Sequence, residues 1–308
     1  AGKDVGQVYD VKEALNNYIT YLAGCYTLPQ DLSGLRIVMD CANGASYQAG
    51  PELFTRLGAR VIPIHNVPNG VNINEGCGST NTESLRRAVI EHNADLGIAY
   101  DGDGDRCIVI DEQGQERDGD YIMVICALDM QRRGILQPPL VVATVMSNIG
   151  LDIALRRENV AVESCKVGDR YVLEKMQETG AVLGGEQSGH IIFLQHATTG
   201  DGLLTSVKLA EVMRRTGMKL SQLAEEMQKF PQKLVNVRLD NKEEILNHPL
   251  VKEALQEAEQ KLGDKGKLVV RPSGTEPLVR LMAQGPEEHI LEEVIDTIAQ
   301  AIQAAQQK

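Results

Sequence analysis

Three aspartates, Asp101, Asp103 and Asp105, stand in the stretch AYDGDGDRCIVID with single glycines between them and Arg106 directly behind. On an extended segment, alternate residues project to one side, so the three carboxylates are expected to converge while the glycines let the backbone bend around them. Converging carboxylates repel and are driven toward protonation unless a cation sits among them. A hard divalent ion answers that need, and Mg²⁺ suits a site with few protein ligands that leaves positions for phosphate or water. Two other readings compete. D-x-D-x-D with Glu112 at the twelfth position begins like a calcium EF-hand, but the sixth position is Arg106 instead of glycine, and the flanks DLGIAY and CIVID read as strands where helices are required. The other competitor is an acidic surface turn with no ligand.

Three further stretches carry chemistry. In GGEQSGHIIF (184–193), Glu186, Ser188 and His190 alternate in a glycine-rich strand and turn, a set suited to hydrogen bonding a polyol and to proton transfer. A polar hairpin tip looks much the same. In RPSGTEPLVR (271–280), Arg271 and Arg280 bracket Ser273, Gly274 and Thr275, whose N–H groups and hydroxyls can cradle an anion, phosphate by preference, between two guanidinium forks. An ordinary polar hairpin is the competing reading, and no GxxxxGK[ST] nucleotide loop occurs in the chain. In KVGDRYV (166–172), Gly168, Asp169 and Arg170 stand where a strand hands over to a helix, the end at which open α/β sheets bind ligands. Asp169 reads equally well as the cap of that helix, and Asp201 reads as an N-cap in preference to a ligand. No nucleophile competes: the serines lack a G-x-S-x-G elbow, the cysteines lack a catalytic setting, and His65, His92, His196, His248 and His289 are isolated.

The elements that position these residues follow from periodicity. Residues 8–24 carry apolar positions at helical spacing; LRIVMD is a buried strand, AGPELFTRLG a helix and ARVIPIH the next strand, a βαβ unit. The same grammar returns in PLVVATVMSNIGLDIALRRENVAVESCKVGDRYVLEKM, so LRIVMDCANGAS and LVVATVMSNIGL are read as copies in a duplicated α/β domain. A strand KLVNVRL, a helix over 242–261, strands in KLVVRPSGTEPLVRLMA and a helix from Glu287 to Gln303 complete the chain. The expected domains are 1–115 with the aspartate loop, 116–228 with the GEQSGH loop, and 229–308, a smaller α+β unit. With 308 residues, abundant aliphatics and no tryptophan, several cores are expected.

A net charge of -12 argues against general affinity for nucleic acid. The six cysteines show no zinc spacing and are expected as buried, reduced thiols of a cytoplasmic protein. No apolar run is long enough to cross a bilayer, and no signal pattern opens the chain.

DGDGDR, GGEQSGH and RPSGTEP, in that order and one per expected domain, resemble the α-D-phosphohexomutase superfamily, and NGVNIN, KVGDRYV and GEQSGH resemble its bacterial phosphoglucosamine mutase branch. The resemblance covers nearly the whole chain. It implies two similar three-layer α/β domains with mixed sheets, then a smaller α+β C-terminal domain. It implies interconversion of glucosamine 6-phosphate and glucosamine 1-phosphate through an enzyme phosphoserine and a bisphosphorylated sugar, with phosphomannomutase or phosphoglucomutase activity and a non-catalytic phosphosugar-binding protein as alternatives. On matching positions, Asp101, Asp103 and Asp105 would bind Mg²⁺ and Arg106 would stand beside the transferring phosphoryl group. Glu186 and Ser188 would hold sugar hydroxyls, His190 would be a candidate general acid/base, and Gly168, Asp169 and Arg170 would belong to the sugar loop. Arg271, Ser273, Gly274, Thr275 and Arg280 would hold the non-reacting phosphate. A homodimer is a further expectation. The family's reactive serine lies in a Ser-x-Asn-Pro loop of a first domain, and no serine here has that context. With AGKDVGQ opening the chain, the expectation is that these are domains two to four and that they do not turn over alone.

Overall fold

The computed structural model describes residues 6, 11–239, 241–273 and 277–306. Strand β1 (Arg36–Asp40), the apolar run of the first βαβ unit, pairs in parallel with β2 (Arg60–Ile64) on one side and β3 (Leu96–Tyr100) on the other. β3 then pairs antiparallel with β4 (Cys107–Asp111), and β4 with the short β5 (Glu116–Arg117). The second sheet repeats this pattern: β6 (Leu140–Thr144) lies in parallel between β7 (Ala161–Cys165) and β8 (Leu183–Gly185), and β8 pairs antiparallel with β9 (Ile191–Phe193). The orders β2-β1-β3-β4-β5 and β7-β6-β8-β9 place corresponding strands in corresponding slots, as a duplication requires.

Burial within the strands repeats too. In β1, Ile37 and Met39 enter the large core while Val38 enters a small cluster with Leu85 and Val89 of α3 (Glu83–Glu91). In β6, Val141 and Ala143 enter the large core while Val142 meets Val172 and Met176 of α6 (Asp169–Thr179). That is the period-2 alternation of a sheet covered on both faces.

The large core belongs to both units at once. Helices α4 (Gly119–Arg132) and α7 (Gly202–Thr216) are buried nearly all round, the mark of a helix enclosed on every side. α7 packs on β3 and β4 of the first sheet and on β9 of the second. The expectation of separate cores therefore holds only in part: the two α/β units share one cluster, and the third unit has its own. Helix α1 (Ala14–Gly24) strengthens the union, since Tyr18 donates from its hydroxyl to Asp201 Oδ2 at 2.9 Å and Tyr21 to the His196 carbonyl at 2.6 Å. The stretch expected as a helix over 8–24 begins at Ala14, and residues 8–10 lie outside the described residues. Asp201 caps α7 as expected, accepting from Leu204 N at 2.9 Å.

The remaining helices of these units are α2 (Ser46–Arg56), α5 (Ile149–Arg157) and α8 (Leu220–Ala224). In the third unit β12 (Leu278–Gln284) runs antiparallel between β10 (Gln232–Arg238) and β11 (Lys267–Pro272). The single helix expected over 242–261 is two, α9 (Lys242–Leu246) and α10 (Pro249–Leu262). A residue before proline is pushed from the helical region, and His248 at ψ 138 instead caps α10 through its ring, which accepts from Leu250 N. The last helix, α11, spans Glu288–Gln306.

All six cysteines are buried and unpaired, and burial pushes the Cys41 thiol up to about 12. Among the described residues no helix is long and apolar enough to cross a membrane.

Candidate functional site

The aspartate loop joins β3 to β4, and it does not run extended as expected. The chain bends at 102–104, with Gly104 at φ +79, and the bend turns the carboxylates toward one another. One oxygen from each of Asp101, Asp103 and Asp105 lies within 4.8 Å of the others, an all-carboxylate donor set suited to a hard cation. Burial, with further pressure from Asp105 and Asp103, pushes the Asp101 carboxyl up to about 6 against the Arg106 N–H that donates to it at 3.2 Å. Arg106 Nε, 3.6 Å from Asp101 and 3.9 Å from Asp105, is one positive partner for three carboxylates and offsets their charge only in part. Glu112 is engaged elsewhere, accepting from Ser221, and strands flank the loop, so the EF-hand reading fails.

The GEQSGH stretch is the tight turn between β8 and β9, closed by Glu186 N to His190 O and Gly189 N to Glu186 O, each 3.0 Å. It is sewn to the end of the aspartate loop: Cys107 N donates to Gly189 O at 3.0 Å, and Arg106 and His190 form an isolated bridge; the start of α7 holds the loop separately, Gly202 N donating to Gly104 O at 2.9 Å. Gly189, at φ +93, would place a Cβ 2.3 Å from the Cys107 carbonyl oxygen. We expect Gly189→Ala to lower stability by more than about 2 kcal/mol in urea unfolding, because backbone cannot yield as a flexible side chain can. Such a variant would also separate the two loops.

His190 is placed differently from a residue that meets substrate. Its ring is 3% exposed behind the loop, Nε2 accepts from Gly200 N at 3.1 Å and stands 3.5 Å from Asp105 Oδ2. It does not line the cleft.

That cleft, of about 520 Å³, lies between the two α/β units. Arg106, Glu186 and Ser188 line it, as expected, and Val167 brings the KVGDRYV loop to its edge. Glu186 Oε1 accepts from Gly168 N at 3.0 Å, which ties that loop to the GEQSGH turn. Gly168 itself occupies the cap position of α6 and Asp169 is the first helical residue, so the capping role read for Asp169 is not observed. Arg170 points away and pairs with Glu174 at 2.7 Å. Neither Asp169 nor Arg170 lines the cleft.

Sequence reasoning missed Ser79, Thr80, Glu116, Asp118, Gln187 and Lys229, which also line it. Ser79 and Thr80 come from GCGSTN, a small polar run whose composition was a usable signal. Lys229 pairs with Asp118 across 2.6 Å, two charges brought together from residues far apart in the chain, for which no local signal exists. Beside them Asp120 is wholly buried and accepts from Gln187 Nε2 at 3.0 Å. Burial, then Asp118, pushes its carboxyl up to about 7, opposed by its N–H donors. The folded state thus holds a proton that the unfolded chain has lost between 3.8 and about 7, and this group's contribution to stability falls as pH rises through that window. Asp120→Asn should flatten that pH dependence in urea midpoints taken at the two ends of the window.

In the third unit Arg271 and Arg280 stand directly opposite one another on β11 and β12, with Ser273 N closing the hairpin on Leu278 O at 2.9 Å. Lys242 Nζ adds a cation, donating to the Ser273 carbonyl at 2.6 Å. Gly274 and Thr275 lie outside the described residues. None of Arg271, Ser273 and Arg280 lines the cleft in this arrangement.

Models of the phosphoglucomutase/phosphomannomutase family match along the chain: α/β/α domain II over residues 16–114, α/β/α domain III over 118–230 and the C-terminal domain over 234–301. The phosphoglucosamine mutase of Syntrophomonas wolfei is 70% identical over 99% of this chain and 68% of its own length. That of Pelotomaculum thermopropionicum is 50% identical over 98% of this chain and 67% of its own. Among solved structures, a phosphoglucomutase/phosphomannomutase family protein from Burkholderia thailandensis superposes with a TM-score of 0.76 at 24% identity, over 97% of this chain and 66% of that one. The N-acetylphosphoglucosamine mutase of Aspergillus fumigatus, solved with GlcNAc-6P and magnesium, gives 0.75 at 19% identity, over 94% and 70%. Aspartate loop, GEQSGH turn and opposed arginines thus sit in three successive domains matched by one set of models, and the chain belongs to the phosphoglucomutase/phosphomannomutase family.

Proposed function

We propose that this chain forms the metal-, sugar- and phosphate-binding part of a phosphoglucosamine mutase, interconverting glucosamine 6-phosphate and glucosamine 1-phosphate in the cytoplasm. The observation that carries the reading is that Arg106, next to the aspartates, lines one cleft with Glu186 and Ser188, whose turn is hydrogen-bonded to Cys107 just behind the aspartate loop. Asp101, Asp103 and Asp105 would hold Mg²⁺, which when bound supplies neutralisation of phosphoryl charge. Arg106 faces the cleft beside them and adds a cation to the same region, so the charge spread over a transferring phosphoryl group meets fixed positive partners. Glu186, held by the Gly168 N–H, keeps its second oxygen for a sugar hydroxyl, with Ser188 alongside. Arg271, Ser273 and Arg280 with Lys242 would take the phosphate that is not reacting.

Phosphoserine chemistry needs a Ser-x-Asn-Pro loop, and none occurs in these 308 residues. The test is accordingly made on this chain joined to the part of the S. wolfei protein that it does not span. Turnover of glucosamine 1-phosphate in Mg²⁺, exceeding turnover of glucose or mannose 1-phosphate, is the expected result. Binding of the sugar phosphate without turnover would favour a phosphosugar-binding protein instead. For the chain alone, adding Mg²⁺ should raise the melting temperature, since an ion at a hundred times its Kd stabilises by about 2.7 kcal/mol. Asp103→Ala should abolish that shift.

A further inference from the structure

Asp120 joins two parts of the molecule that the proposed reaction needs in register. It lies in the first turn of α4, 0% exposed, and its Oδ2 accepts both the Gln187 side-chain N–H at 3.0 Å and the Asn148 backbone N–H at 2.8 Å. Gln187 is the middle residue of the sugar-facing turn, and the same helix start grips that turn by its backbone, Gly119 N donating to Gln187 O at 2.9 Å. A Cβ at Gly119 would lie 2.1 Å from Glu186 O, so the contact is already closed to van der Waals distance.

On its other side Asp120 holds the turn that seats the C-terminal unit. Asn148 clasps Phe230 by two hydrogen bonds, its Nδ2 donating to the carbonyl at 2.9 Å and its Oδ1 accepting from the N–H at 3.0 Å. Ile149 N donates to Gln284 Oε1 at 2.7 Å, and Lys267 Nζ donates to Ser147 O at 2.9 Å. Gln284 and Lys267 both belong to the third sheet. Four consecutive residues, 146–149, thus lie in MSNIG, the duplicated turn that no catalytic role claimed, and three of them engage the third unit or the connector leading to it. Nothing about a stable core demands this polar route, since burying a carboxylate among apolar helices is costly.

We propose that Asp120 is a positioning residue that couples the seat of the C-terminal unit to the sugar-facing turn, so that a displacement at Gln284 is transmitted through Asn148 and Asp120 to Gln187 and its neighbours Glu186 and Ser188. The functional meaning of the coupling rests on the proposed mutase reading; the mechanical link does not. A unit that carries the phosphate clamp and must present either end of a sugar phosphate then sets the sugar contacts as it seats.

The link is measured by hydrogen exchange of the backbone amides of 184–190 in the 308-residue chain. Gln284→Ala is expected to speed that exchange at least about threefold. Asp120→Ala should speed it likewise, and adding Gln284→Ala to it should change nothing further. Asp120→Asn keeps an acceptor for both N–H groups and should exchange as the parent does. Ile245→Ala, which weakens the third unit's own core away from the seat, should leave the segment slow. The proposal is overturned if Gln284→Ala leaves the segment unchanged, if its effect and that of Asp120→Ala multiply independently, or if Ile245→Ala matches them. In the joined enzyme Asp120→Ala should raise KM for the sugar phosphate by more than it lowers kcat, with Asp120→Asn restoring it. Absence of turnover in every version would defeat the mutase reading and leave the exchange result standing, whereas turnover without exchange coupling would defeat only the role of Asp120.

Discussion

Asp103→Ala should reduce turnover by the joined enzyme at least about 10²–10³-fold, the cost of removing one preorganised partner of developing charge. It should also remove the dependence of the residual rate on added Mg²⁺. Asp103 is the most exposed of the three aspartates and makes no hydrogen bond that the loop needs for its shape. The loop is instead fixed by Gly104 O, Asp101 and Arg106. The folded state should therefore keep its stability in urea, or gain slightly from relief of repulsion with Asp101. Loss of rate with intact stability separates a ligand from a structural residue. An unchanged rate with unchanged metal dependence would remove Asp103 from the site.

Arg271→Met should lower kcat/KM by about 10²–10³-fold, because binding energy at a remote phosphate is used to hold the reacting end in place and its loss appears in kcat as well as KM. The paired geometry makes the second half of the prediction unusual. Arg271 faces Arg280 across the ladder, and methionine keeps an apolar stem there, so the third unit should lose little stability in urea. Addition of inorganic phosphate should stabilise the parent chain and have a smaller effect on the variant. If the variant unfolds more readily and phosphate protects both equally, Arg271 is a packing residue.

Much of the site could be read from the sequence, and the reasons differ from residue to residue. Asp101, Asp103, Asp105 and Arg106 are contiguous, so their meeting is a local matter; even so, the extended geometry that alternation suggested is wrong, and a bend at Gly104 achieves the convergence. Glu186 and Ser188 are likewise local to one turn. His190 shares that turn, but strand alternation and the bridge to Arg106 carry its ring to the buried side, which residue type alone does not reveal. Lys229 and Asp118 meet across more than a hundred residues, and Asp120, Asn148 and Gln284 do so through three elements. Such contacts exist only once the fold has formed. The duplicated strand-and-turn pattern gave the parallel βαβ core of both sheets, because an apolar strand and an Asn-containing turn are written in each copy; the antiparallel strands that complete the sheets were not written there. What it could not give was the merging of two cores, since α4 and α7 are buried nearly all round, charged residues included, and periodicity does not say what encloses them.

That merging has a mechanical consequence. A jaw works when one side is fixed and the other moves, and close-packed interiors do not shear. With α7 packed against both sheets and α1 laced across it, the two α/β units make a single anvil, and the aspartate loop and the turn at 186–189 both lie on it. The C-terminal unit has its own core, and it is held to the anvil by the short polar seat at 146–149 and the connector through Phe230. Under the proposed reaction the C-terminal unit is the part expected to move against that anvil, and the seat is the route by which its movement reaches the turn.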